Sequence, residues 1–230
     1  MNKNRKSFVI SLFLFLAFFM LTFLVMKVDV QPIGPEQSTV GLATINSFVF
    51  EKLGVNSLWY SITDWLGIVA ILVALGFAML GFIQMIKRRS LLKVDLDIIL
   101  LGAYYLLVIG AYVIFELFIV NYRPIILSEG LEASFPSSHT MIVLCIMGTA
   151  MIQFQKRLKG PALRKAAQII SALIILVTII GRLISGVHWV TDISAGLLLG
   201  MAFILLYAAV IGSIENTNNQ FSRLDSENDI

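Results

Sequence analysis

Residues 167–211 read AQIISALIILVTIIGRLISGVHWVTDISAGLLLGMAFILLYAAVI. Two long apolar runs flank a short island that holds Arg182, Ser185, Gly186, His188, Thr191 and Asp192. The hydrocarbon layer of a bilayer is about 30 Å thick and takes about 20 helical residues to cross. The stretch therefore predicts one span, a tight reversal at Gly186, where a missing Cβ eases the turn, and a second span running back. Its charged side chains and its histidine gather at the turn and nowhere else in it.

The rest of the chain repeats this pattern. Hydrophobic residues make up 58% of the 230 residues and charged residues 13%, more apolar surface than a water-soluble domain of this length can bury. Runs at 8–26, 59–86, 96–121, 138–155, 167–183 and 189–211 each predict a membrane span, so the fold class expected is an all-α bundle of six transmembrane helices. Lys3, Arg5 and Lys6 precede the first run, but its length and the lack of a small-residue cleavage site predict an uncleaved span. Alternate connections, with Arg223, carry 13 of the 17 Lys and Arg residues. The positive-inside rule then puts both termini in the cytoplasm and the 182–192 island on the extracytoplasmic side.

Between the first two spans, Leu42, Ile45, Val49 and Leu53 recur at helical spacing with polar residues between them. This predicts a short amphipathic helix at the outer interface, with a loop lying on the bundle as the alternative. Residues 1–214 are expected to form one domain and the acid-rich residues 215–230 a frayed cytoplasmic tail. The single Cys145 excludes an internal disulfide. Nothing in the charge pattern suggests nucleic acid or an obligate protein partner; membrane lipid is the expected surrounding.

Only two histidines occur, His139 and His188, and each lies in a polar island. Imidazole serves as nucleophile or proton donor near neutral pH. His188 and Asp192 stand one helical turn apart, so the carboxylate is expected to take the Nδ1 proton and leave Nε2 bare. Pro136 ahead of Ser137-Ser138-His139 predicts a helix start, whose free N–H groups bind anions. Arg123 and Arg182 add two guanidiniums, which grip tetrahedral oxyanions by forked, charge-assisted contacts. Snorkelling to headgroups explains either arginine alone, but not why each keeps company with a histidine.

The elements Arg123-Pro124, then Pro136-Ser137-Ser138-His139, then Arg182 followed by His188 and Asp192 come in the order and spacing of a known family. The chain resembles the type 2 phosphatidic acid phosphatases, integral membrane lipid phosphatases related in their site to vanadium haloperoxidases. The resemblance implies a phosphoric monoester or diphosphate hydrolase acting on a lipid phosphate through a phosphohistidine. It implies that His188 attacks phosphorus, that Asp192 orients it, and that His139 protonates the leaving oxygen. Arg123, Ser137, Ser138 and Arg182 would hold the phosphoryl oxygens, with no metal and no cofactor. Undecaprenyl diphosphate, phosphatidylglycerol phosphate and phosphatidic acid are the candidate substrates in a bacterial plasma membrane.

Two positions depart from the family pattern. Glu116 stands where a lysine is usual, seven residues before Arg123. Two helical turns would bring them to one face, where Glu116 orients Arg123 or meets a cationic part of the substrate; a polar residue facing the outer interface is the alternative. Gly181 replaces the usual serine before Arg182. Other activities remain open at this stage: a phosphotransferase passing the group to another lipid, and a non-catalytic lipid-binding or transport protein. Transporters usually carry repeats and broken midplane helices, which this chain lacks.

Overall fold

The computed structural model describes residues 3–127 and 130–228, with side chains described as far as 217. Among them are seven α-helices, two short 3₁₀ turns and two isolated antiparallel bridges, Gln31 with Val40 and Tyr122 with Ala133. The helices are α1 (Lys3–Lys27), α2 (Ala43–Leu53), α3 (Ser57–Arg88), α4 (Leu96–Leu117), α5 (Ser138–Arg157), α6 (Pro161–Ile184) and α7 (Val190–Asn228). All six runs expected to span are helical, and the fold is all-α as expected. Five of them, α1, α3, α4, α6 and the first part of α7, are long and apolar enough to cross a membrane.

Local chemistry sets the helix ends. Asn56 caps α3 by accepting the Trp59 N–H at 3.2 Å. Pro161 opens α6, where its missing N–H costs nothing. At the head of α7 the Asp192 carboxylate reaches back to the Trp189 N–H at 2.9 Å, the returning half of a capping box. α4 stops at Leu117 rather than continuing to Asn121, and α7 runs on to Asn228, past the expected end at Ile211 and through the segment expected to fray.

The sixth helix, α5, is the axis of the bundle. It packs against α3, α6 and α7, and eleven of its twenty residues are buried. A helix shielded in this way meets side chains instead of lipid. That is why it tolerates Thr140, Thr149 and Gln153 and falls short of the apolarity of the other five. Around it, α1 lies along α7, where Ser11 donates to the Ala202 carbonyl at 2.7 Å and Phe15 meets Phe203 edge-on. At the end of α5 away from His139, Arg157 binds Asp95 at 3.0 Å and Asp97 at 2.7 Å. Arg88 and then Arg157 hold the Asp95 carboxyl down at about 2.

The segment between α1 and α2 is pinned, not loose. Buried Asn46 of α2 donates to the Gly41 carbonyl at 2.9 Å and to the Thr191 hydroxyl at 3.0 Å. Phe50 lies against the Trp189 ring. A helix, α2, thus lies between α1 and α3 and docks on the head of α7.

Candidate active site

One end of the bundle collects the sequence-singled residues from four places. Arg123 comes from the segment after α4, Ser137, Ser138 and His139 from the head of α5, Arg182 from the end of α6, and His188 and Asp192 from the turn into α7. Gly186 makes that turn with φ +69°, and a Cβ there would lie 2.3 Å from the Gly54 carbonyl oxygen. Only glycine fits both the backbone angle and the close approach of the segment before α3.

His188 is buried, and its two nitrogens face opposite kinds of neighbour. Nε2 lies 3.3 Å from Arg123 Nη1. A guanidinium only donates, so Nε2 is the bare, accepting nitrogen. Nδ1 lies 3.1 Å from the Ser134 carbonyl oxygen and 3.7 Å from Asp192 Oδ2. The proton therefore sits on Nδ1, as expected, but its near acceptor is the Ser134 carbonyl, while Asp192 stands further back capping α7. Asn121 Nδ2 lies 3.4 Å from Asp192 Oδ1. Burial, and then the charges of Arg123 and Arg182, hold the His188 imidazole well below its ordinary pKa, so it is neutral.

His139 has the reverse arrangement. Its Nε2 lies 3.1 Å from Asp64 Oδ1, and the same carboxylate oxygen pairs with Arg182 Nη2. A carboxylate accepts, so Nε2 of His139 carries a proton. Arg182 is the largest fully buried side chain among the described residues. Its guanidinium carbon sits 5.2 Å from the Tyr60 ring centre, and its Nε and Nη1 have no hydrogen-bond partner among the described residues. Two buried donors left open are costly unless an anion arrives to take them.

The head of α5 opens on the same end of the bundle. Ser137 is its N-cap, makes no side-chain cap to the helix, and receives a hydrogen bond from Thr140 Oγ1 at 3.0 Å. The first-turn N–H groups of α5 therefore keep their pull on negative charge. Among the described residues no trio of His, Cys, Asp or Glu converges in the manner of metal ligands.

Glu116 does not take the place the spacing suggested. α4 ends one residue after it, so no helical face joins it to Arg123, and it is exposed beside Tyr112. The carboxylate at Arg123 is Glu132, with Oε2 3.0 Å from Nε. Gly181 has a packing reason. A Cβ there would meet Thr63 Cγ2 at 2.5 Å and the Trp59 ring at 3.0 Å. The site residues that sequence reasoning missed are Asp64, Ser134, Asn121 and Glu132. An isolated aspartate inside the second apolar run was the one available signal for Asp64, since intramembrane carboxylates face functional interiors.

Residues 12–214 match the family model of the PAP2 superfamily. No curated protein matches the chain. Among solved structures, a crystal structure described as the first transmembrane PAP2-type phosphatidylglycerolphosphate phosphatase, from Bacillus subtilis, superposes with a TM-score of 0.64. It is 20% identical in sequence, and the match covers 89% of this chain and 96% of that one. The chain belongs to the PAP2 superfamily. With its apolar helices, this membership supports a multi-pass membrane protein that works as a phosphatase.

Proposed function

We propose that this protein hydrolyses a lipid phosphate or diphosphate through a phosphohistidine, without a metal, at the extracytoplasmic face of a six-span bundle. The observation that carries the reading is the pair of imidazoles with opposite proton placement around a buried arginine whose two donors are open. His188 Nε2 attacks phosphorus, and the bond to the leaving oxygen breaks as the His139 imidazolium, its Nε2–H held by Asp64, gives that oxygen the proton on Nδ1. Water then attacks phosphorus as Nδ1 of His139 takes its proton, the phosphorus–nitrogen bond breaks, and free phosphate leaves with His188 restored. Arg123, Arg182, the Ser137 hydroxyl and the Ser138 N–H hold the phosphoryl oxygens as charge develops. Asp192 fixes His188 from behind by capping α7 and sharing the Nδ1 side with Ser134.

The lipid tail favours a substrate whose phosphate lies at headgroup depth. Phosphatidylglycerol phosphate leads the candidates because the superposed Bacillus protein is described as acting on it; undecaprenyl diphosphate and phosphatidic acid follow. The test is phosphate release by purified protein in detergent across these three lipids, with excess EDTA and with His188→Ala. Release that survives EDTA and is lost in His188→Ala is expected. Release abolished by chelation, or retained by His188→Ala, overturns the reading. A product found on a lipid acceptor instead of as free phosphate would make the protein a phosphotransferase.

A further inference from the structure

One stripe of α3 is shaped to the site. Tyr60, Thr63, Asp64 and Gly67 follow the i, i+3, i+4, i+7 spacing of a single helix face. The Tyr60 ring stands by the Arg182 guanidinium, and Thr63 fills the space left by Gly181. A Cβ on Gly67 would lie 3.1 Å from His139 Cδ2, so that glycine lets the imidazole lie on the helix. Asp64 stands in the middle, with one oxygen on both His139 Nε2 and Arg182 Nη2. It is the sole charged residue of α3 ahead of Lys87. A carboxylate on a spanning helix is expensive, and this one joins side chains from two other helices.

We propose that Asp64 is a positioning residue for the proton donor: its carboxylate, anchored by Arg182, holds the Nε2–H of His139 and supports the imidazolium, leaving Nδ1 to give its proton to the departing oxygen. The proposal rests on the phosphatase reading above. Asp64 touches neither the phosphorus nor the leaving group; it acts through His139. The pairing also gives the buried Arg182 charge a counter-ion while leaving Nε and Nη1 open for phosphate. His188, with Arg123 at the corresponding nitrogen, receives the opposite instruction. Two rings of one chemistry are thereby assigned two tasks.

The test compares two substrates with different needs for a proton. A long-chain alkyl phosphate leaves as an alkoxide and requires an acid; p-nitrophenyl phosphate leaves as a stable phenolate and does not. Asp64→Asn, which keeps the shape and removes the charge, is expected to lower kcat/KM on the alkyl phosphate by about 100-fold, the scale of one positioned acid, and on the aryl phosphate far less. A ratio of the two losses of about ten or more supports the proposal. A smaller ratio, including no loss on either substrate or equal loss on both, overturns it. If Asp64→Asn fails to fold, the same ratio is read on Asp64→Glu, whose extra methylene moves the carboxylate off Nε2. Wild type and His188→Ala run alongside. Inactive wild type, or active His188→Ala, defeats the phosphatase reading itself, separately from the role of Asp64.

Discussion

At His188 a donor-only guanidinium faces one ring nitrogen and a backbone carbonyl the other, and that contrast alone fixes the tautomer. Burial and the charges of Arg123 and Arg182 disfavour the imidazolium, so the folded-state pKa lies below the unfolded value of about 6.5. The proposed nucleophile is therefore already bare at neutral pH. The acid limb of kcat/KM belonging to it is expected below pH 6.5; a limb at or above that value would contradict the assignment. By the same sign, the unfolded chain takes up this proton first as pH falls, so stability from this group is lost on acidification. Arg123 gives a second expectation. Because Glu132 holds its Nε, Glu132→Gln should lower kcat/KM about ten-fold, whereas Glu116→Gln should change it less than about two-fold, read on the same lipid substrate. The spacing in the sequence exposed both histidines, both arginines and Asp192, since each sits in a polar island. It concealed Ser134, which contributes a backbone carbonyl that no side chain advertises. It also concealed Asp64, whose partners lie 75 and 118 positions away.

Helix α3 reaches the site because α6 lets it approach, and Gly181 is the point of contact. A serine there, usual for the family, would drive its Cβ into Thr63 and the Trp59 ring. Gly181→Ser is expected to cost about 1–3 kcal/mol of stability and to loosen the Asp64 contacts, seen as a lower melting temperature in detergent together with lost phosphate release. An unchanged melting temperature would mean the helices have slack. The departure from the family pattern at this position thus has a packing reason, the close approach of Thr63 and Trp59. Elements were more legible than their neighbours. Apolar runs of the right length marked all six long helices, because lipid demands such runs. The same signal cannot say which helix is shielded, so α5 looked like one more lipid-facing span when it is the centre. Nor can it mark the end of α4, where Phe118 and Ile119 keep the sequence apolar after the helix has stopped.

Across the whole molecule, basic residues crowd the end opposite the histidines, and this gives the orientation its test. Thr39 precedes α2 and Lys159 lies between α5 and α6, both exposed, while native Cys145 is buried. In intact cells, Thr39→Cys is expected to react with a membrane-impermeant maleimide and Lys159→Cys only after lysis; the reverse pattern would invert the topology. Helix α5 connects the two ends. His139 and Arg157 are separated by about 27 Å of helical rise, close to the thickness of the hydrocarbon layer. Arg157 is tied to Asp95 and Asp97 at one end, while His139 is tied to Asp64 at the other. Moored fore and aft, the central rod is held in register with α3 and the head of α4. Under the proposed reading, the His139 ring is therefore kept at one level of the bundle, and a lipid phosphate would have to come to it there.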